Sequence, residues 1–275
     1  MTVARRAAVC GKPIAHSLSP VIHTAGFAAA GLLNWTYTAI ECASGELADL
    51  VAGLGPEWVG LSLTMPLKEV ALTVASSASP AAAAVGAANT LVRQADGSWF
   101  ADNTDIPGMV RVLRDAGVGV APTMTVLGGG GTARAALAAA AELGSRSVSV
   151  VARRASAVEE LIPVAAALGI GLTGREWTSL TAFETDVVIS TVPKGAADPL
   201  AITVGWRPGT VLFDAIYDPW PTPLAAAAAA NDVQVASGLD LLLAQALGQF
   251  EQFTGVVPAP EAPMREALTA AAALR

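Results

Sequence analysis

The sequence predicts an α/β protein with mostly parallel sheet, on three observations. Strand-like apolar runs alternate with helical patterns along the whole chain. An unbroken glycine run, Gly128–Gly131, separates one such strand from one such helix. Hydrophobic residues make up 53% of the 275 residues and charged residues only 14%, which excludes a disordered chain and allows roughly 70% of the unfolded surface to be buried.

In chain order, Ala7–Cys10 reads as a strand ending at Gly11, and a helical pattern follows Pro20 and closes at Gly31. Thr36–Ile40 is strand-like, Leu47–Ala52 helical, and Trp58–Leu63 a strand again. A polar loop leads to a helical stretch over Lys68–Ala75. Asn89–Arg93 and Ser98–Ala101 form a hairpin around Asp96-Gly97, a dipeptide suited to tight hairpin turns. The pattern then restarts with Met124–Leu127 as a strand, Thr132–Leu143 as a helix capped by Gly144, and Ser147–Val151 as the next strand. Asp186–Ser190 and Thr210–Phe213 are later strands. In Leu239–Phe253 the apolar positions 239, 242, 243, 246, 247, 250 and 253 make one helical stripe.

Scarce residues narrow the function. The formal charge of −7 leaves no basic footprint for nucleic acid. The only cysteines, Cys10 and Cys42, form no CxxC pair, and the only histidines are His16 and His23, so neither a disulfide framework nor a metal site is indicated. A Ser-His-Asp triad would have to use one of those two histidines. The mean hydropathy of +0.53 comes largely from alanine, and no window of about 18 residues is apolar throughout. Arg5-Arg6 and the apolar residues after them imitate a signal peptide, but Gly11 and Lys12 end the run too early. A cytoplasmic protein acting on a small molecule, without nucleic acid or membrane partners, is the expectation.

Gly128, Gly130 and Ala133 fit G-x-G-x-x-[GA] between a strand and a helix, and residues 124–151 have the length of a βαβ unit. Glycine is needed there because the backbone must turn tightly and let a pyrophosphate approach the helix N-terminus, whose free N–H groups favour anions. This predicts a Rossmann-type, doubly wound dinucleotide-binding domain. NAD sites usually carry an acid at the end of the next strand, for the ribose 2′-hydroxyl. Here that strand ends in Ala152-Arg153-Arg154, with no acid until Glu159. Two guanidiniums suit a 2′-phosphate, so NADP is the expected cofactor, the alternative being two solvated surface arginines.

Three loops of the first half carry polar residues among apolar runs: Gly11–Pro20 with Ser17 and Ser19, Ser62–Lys68, and Asn89 with Ala101–Asp105. Hydroxyls, an amide, a lysine and a carboxylate at strand ends are what a polyhydroxylated carboxylic acid requires. Each loop alone is also explained by helix capping, with Ser17 or Ser19 as one N-cap and Asp105 as the N-cap of a helix over 106–116.

Taken together the motifs carry a resemblance. G-K-P-I-A-H-S-L-S-P at 11–20, T-M-P-L-K at 64–68, G-A-A-N-T at 86–90, D-N-T-D at 102–105, the glycine loop, D-A-I-Y-D-P-W-P-T-P-L at 214–224 and S-G-L-D-L-L-L-A-Q at 237–245 stand in order. The chain resembles the shikimate dehydrogenase family, in a form close to its actinobacterial members. The resemblance implies an N-terminal α/β substrate domain over 1–105, completed by C-terminal helices over 238–275, and a Rossmann NADP domain over 106–237. It implies reversible, NADPH-dependent reduction of 3-dehydroshikimate to shikimate in aromatic amino-acid biosynthesis.

By matching position, Lys68 and Asp105 would be the catalytic pair, and Ser17 and Ser19 would hold the substrate carboxylate. Thr64, Asn89 and Gln245 would bond ring hydroxyls. Gly128, Gly130 and Gly131 would cradle the pyrophosphate, with Arg153 and Arg154 at the 2′-phosphate. Tyr217 and Gly238 would line the crevice between domains. Ser62, Thr24 and Ala101 depart from the family's usual Asn, Asn and Gly, and Ala152 replaces an Asn of its basic cluster. Alternatives are a quinate or aminoshikimate dehydrogenase and a non-catalytic NADP-binding regulator, which would be expected to lose Lys68 or Asp105. A homodimer is compatible with the chain.

Overall fold

The computed structural model describes residues 4–275. Contacts divide the chain into two units: residues up to Asp105 together with Leu242–Arg275, and Ile106–Leu241.

In chain order the first unit comprises β1 (Arg5–Gly11), α1 (Ser19–Ala29), β2 (Trp35–Glu41), α2 (Leu47–Ala52), β3 (Trp58–Leu63), α3 (Ala71–Val74), β4 (Ser77–Ala78), α4 (Pro80–Val85), β5 (Thr90–Arg93) and β6 (Trp99–Asp102). Next come α5 (Asp105–Asp115), β7 (Thr123–Leu127), α6 (Gly131–Glu142), β8 (Ser147–Ala152), α7 (Ala155–Glu159), α8 (Ile162–Ala167), β9 (Gly171–Glu176), β10 (Ala182–Phe183), β11 (Val187–Ser190), β12 (Gly205–Trp206), β13 (Val211–Asp214), α9 (Pro223–Ala230) and β14 (Gln234–Ser237). Helix α10 (Gly238–Thr254) runs across the boundary, and α11 (Glu261–Ala272) ends the first unit.

The first sheet has the order β2-β1-β3-β5-β6-β4. β1 pairs in parallel with β2 and β3, whereas the β5–β6 hairpin runs antiparallel beside β3. Asp96 closes the hairpin turn by accepting from the Ser98 N–H at 2.9 Å. Apolar residues of β1, β3 and β5, among them Ala8, Leu61 and Leu91, share one core with Leu47 and Leu67. α1 packs against α11, and a Cβ at Gly26 would lie 2.8 Å from the Phe250 ring of α10 and 3.0 Å from Met264 Sδ of α11, so α1 needs glycine where it meets these two helices.

The second unit is fully parallel, in the order β14-β13-β11-β7-β8-β9. The winding order of the strands reverses between β7 and β11, the switch point at which doubly wound sheets bind ligands. Ala133, Ala135, Ala136 and Ala138–Ala140 are buried in α6 together with Leu137; the methyl side chains let this helix lie close to the sheet. The α/β class and the Rossmann-type order therefore stand as the sequence predicts. The helix expected over Lys68–Ala75 is reduced to Ala71–Val74, because the Lys68 carbonyl instead accepts from the Ala88 N–H at 2.7 Å.

His23 of α1 is fully buried, stacked on Tyr37 with ring centroids 4.1 Å apart and Phe27, Phe250 and Phe253 around it. Burial lowers its pKa from 6.5 to about 3, with the nearby Gln249 opposing. Between those values the unfolded chain binds a proton that the folded chain refuses, so His23 stabilises fully above about pH 6.5 and progressively less as pH falls towards 3. On acidification from pH 7 to pH 5 this residue should cost about 2 kcal/mol of unfolding free energy. Urea titrations at the two pH values should show that loss, and His23→Phe should remove most of it.

Candidate active site

Three chain segments meet where β3 and β6 end and β5 begins. The loop after β3 is pinned to the end of β1: the Thr64 N–H donates to the Cys10 carbonyl at 2.9 Å and the Lys12 N–H to the Met65 carbonyl at 3.0 Å. A Cβ at Gly11 would sit 2.4 Å from the Thr64 methyl, so only glycine permits this approach. Leu67, fully buried, anchors the loop and leaves the next side chain, Lys68, to emerge at the strand ends.

Lys68 Nζ meets Asp105 Oδ2 at 2.5 Å, and both side chains are largely buried, at 14% and 6% exposure. The second carboxylate oxygen, Oδ1, accepts from Asn89 Nδ2 at 2.9 Å. Asn89 Oδ1 in turn accepts from the Thr104 N–H at 2.8 Å. A backbone N–H can only donate, so this bond fixes which end of the Asn89 amide faces Asp105. Asn103 holds the turn from the other side, donating to the Ala87 carbonyl at 2.8 Å and accepting from the Asp105 N–H at 3.2 Å. Asp105 is the first residue of α5, yet its carboxylate faces Lys68 and Asn89 and does not cap the helix. A buried carboxylate keeps its charge only with such partners, and a lysine held beside it in a polar recess can give and take a proton.

The remaining substrate-side residues belong to the same unit. Ser17 Oγ accepts from the Ser19 N–H at 3.3 Å, a local turn, and the N-cap of α1 is Leu18, without a side-chain bond. Both serines thus fail as the N-cap that helix-start rules suggest. Thr64 is half-buried at the loop, and Gln245 of α10 donates to the Leu242 carbonyl at 2.8 Å. Ser62, a departure from the usual Asn, is buried and bonded to Tyr37 and Gln249, each at 2.6 Å.

In the second unit the glycine loop follows β7. Gly128 has φ +111°, and a Cβ there would lie 2.5 Å from Thr191 Oγ1; at Gly129 it would lie 2.8 Å from the Ala157 Cβ. Gly130 is different: it precedes α6 as N-cap, and a Cβ would meet nothing within 4 Å. Two glycines therefore serve packing, and the third leaves open space beside the N–H groups at the start of α6, as the pyrophosphate of a dinucleotide requires.

Beyond β8, Arg153 borders a cleft of about 730 Å³ that Val158, Gly174, Arg175 and Trp177 also line. Arg154 is not among the lining residues; it is the exposed N-cap of α7. Arg175 and Trp177 escaped the sequence reading, because β9 is mostly exposed and carries no apolar alternation. The signal is in the register: Val151 lies opposite Arg175 and Ala152 opposite Glu176. Tyr217 sits in the loop after β13, which Asp214 ties down by accepting from Thr222 Oγ1 at 2.7 Å and from the Ile216 N–H at 3.2 Å. Burial raises the Asp214 pKa against those bonds. A Cβ at Gly238 would lie 2.1 Å from the Ala215 carbonyl oxygen, so glycine is obligatory there. Among the described residues no His, Cys, Asp or Glu cluster could hold a metal ion, and no helix is long and apolar enough to cross a membrane.

Comparison with known proteins places this geometry. Residues 9–91 match the family described as shikimate dehydrogenase substrate binding domain, and residues 238–269 match the shikimate 5′-dehydrogenase C-terminal domain. A shikimate dehydrogenase (NADP(+)) of Caulobacter vibrioides is 37% identical over 266 residues, covering 94% of this chain and 92% of its own. The crystal structure of Mycobacterium tuberculosis shikimate dehydrogenase superposes with a TM-score of 0.85 at 46% identity, covering 98% of this chain and all of that one (100%). That of the Thermus thermophilus enzyme, in complex with NADP(H) and shikimate, gives 0.83 at 31% identity, covering 97% and 99%.

Proposed function

The chain belongs to the shikimate dehydrogenase family, and on that premise we propose that it interconverts 3-dehydroshikimate and shikimate with NADP(H), in aromatic amino-acid biosynthesis. The observation that carries this reading is the Lys68–Asp105 pair, closed at 2.5 Å and held from behind by Asn89. A regulator without chemistry has no use for a lysine buried beside a carboxylate.

When bound, NADPH supplies the hydride that reduces the substrate carbonyl. Lys68 gives a proton to the carbonyl oxygen during reduction and takes it from the hydroxyl during oxidation. Asp105 orients the ammonium, and Asn89, with its amide fixed by Thr104, keeps Asp105 in place. Ser17 and Ser19 bond the substrate carboxylate, and Thr64, Asn89 and Gln245 bond ring hydroxyls. Gly130 and Gly131 admit the pyrophosphate, Gly128 shapes the turn before them, and Arg153 meets the 2′-phosphate with Arg154 adding charge nearby. Tyr217 contributes to substrate binding and Gly238 to cofactor binding. We assign substrate binding to the first unit, with α10 and α11, and cofactor binding to the second. The reading places the protein in the cytoplasm and allows a homodimer, which sedimentation velocity would detect.

The proton-transfer role predicts that Lys68→Ala lowers kcat by about a hundredfold or more, with KM for shikimate within a few-fold. Lys68→Arg should stay slow, because a guanidinium does not release its proton. Asp105→Asn should also be slow, and the two losses should not add. Steady-state rates of shikimate-dependent NADP reduction check all three, and a Lys68→Ala enzyme with near-normal kcat contradicts the assignment.

Cofactor choice is tested by replacing Arg153 and Arg154 together with Ala. Each lost charge-assisted bond is worth about 1.5–3 kcal/mol, so KM for NADP should rise tenfold or more while the weaker activity with NAD changes little. Equal losses with both cofactors would assign the arginines to the fold instead.

A further inference from the structure

Gln249 is a polar residue on the buried side of α10, amid Ala246, Phe250 and Phe253, and it is wholly shielded from solvent. An amide buried among apolar neighbours is costly unless both its ends are bonded, and here both are. Its Oε1 accepts from Ser62 Oγ at 2.6 Å, and its Nε2 donates to the Asn89 carbonyl and to Thr90 Oγ1, each at 3.1 Å. The Asn89 carbonyl can only accept, so the Gln249 amide has one possible orientation.

The bonds continue in a single direction. Tyr37 donates to Ser62 at 2.6 Å, and Ser62 to Gln249. Thr90, having accepted from Gln249, donates to Asn89 Oδ1 at 2.8 Å. Asn89 then donates to Asp105, whose other oxygen holds Lys68. Ser62 and Thr90 each accept from one neighbour and donate to the next, and the path ends on the carboxylate beside the reacting lysine.

We propose that Gln249 is a positioning residue for the reaction: it sets the Asn89 side chain through Thr90 and the Asn89 backbone, and so fixes Asp105 and Lys68. The proposal rests on the roles given above to Lys68 and Asp105. Gln249 itself touches no substrate, since both ends of its side chain are engaged within the protein. A residue that merely fastened α10 to the sheet would contribute to stability and leave turnover alone. Removing its amide leaves the Asn89 carbonyl bonded, because the Leu63 N–H also donates to it at 2.7 Å.

The experiment measures kcat, KM for shikimate and for NADP, and thermal midpoint in Gln249→Leu, Thr90→Val and Lys68→Ala, and repeats Gln249→Leu in an Asp105→Asn background. Misplacing a reacting group by about 1 Å can cost about a hundredfold in rate, and a smaller displacement correspondingly less. Gln249→Leu should therefore lower kcat by about tenfold or more with both KM values within threefold. In the Asp105→Asn background the same change should cost less than about twofold, because the path it acts through is already cut. Should Gln249→Leu not fold, Thr90→Val interrupts the same path within its own volume and should show the same split. A kcat within twofold of the wild type in the folded variant, or an equal loss with and without Asp105, overturns the proposal. If Lys68→Ala retains its kcat, the catalytic assignment falls first and the positioning role with it. If Lys68→Ala is slow while Gln249→Leu is not, only the positioning role falls.

Discussion

A carboxylate removed from water needs partners for both its oxygens, and the buried Asp105 places that constraint on the site. Its two oxygens are divided between a cation and an amide, Lys68 and Asn89, and each partner is held by further bonds of its own. The Lys68 backbone is tied to Ala88, and the Asn89 amide to Thr104 and Thr90. The loops after β3 and β6 and the residue just before β5 thus converge because one buried charge needs what each carries. Breaking one partner away from such a group is expensive, which holds the recess together.

The second unit meets the opposite need. A dinucleotide brings its own charges, so the protein there supplies space and N–H groups in place of a paired side chain. Gly128 and Gly129 must be glycine because a Cβ would collide with Thr191 and Ala157, while the space beside Gly130 stays open. The alanines of α6 continue the same economy of volume, letting the helix start close to the end of β7. Rigid polar pairing in one unit and absent side chains in the other are two solutions to holding polar ligands in place.

Much of this was legible in the chain because the relevant signals are local. A glycine run between a strand and a helix, Arg-Arg at the end of the next strand, and a hairpin turn at Asp96-Gly97 all declare themselves within a few residues. Lys68, Asn89 and Asp105 were visible as polar residues at strand ends. The capping reading of Asp105 was equally good locally, and a partner 37 residues away decided against it. Gln249 was invisible for a related reason: in a helical pattern a lone glutamine beside the apolar stripe reads as solvated, and its partners lie 159, 160 and 187 residues away. Ser62 read as a departure from a family pattern until Tyr37 and Gln249 gave it a role. Arg175 and Trp177 lie on and after an exposed strand whose position only sheet register reveals.

The chemistry turns on an amine at the Lys68 position giving and taking the proton. Chemical rescue of Lys68→Ala tests that most directly, with methylamine, ethylamine and propylamine added to the assay of shikimate oxidation at fixed ionic strength. A small amine that enters the space left by the side chain should find Asp105 still waiting, so turnover should rise with amine concentration, saturate, and depend on the amine's size and basicity. Turnover by Lys68→Ala that does not respond to any amine, while shikimate and NADP still bind, would contradict the account and assign the proton to water.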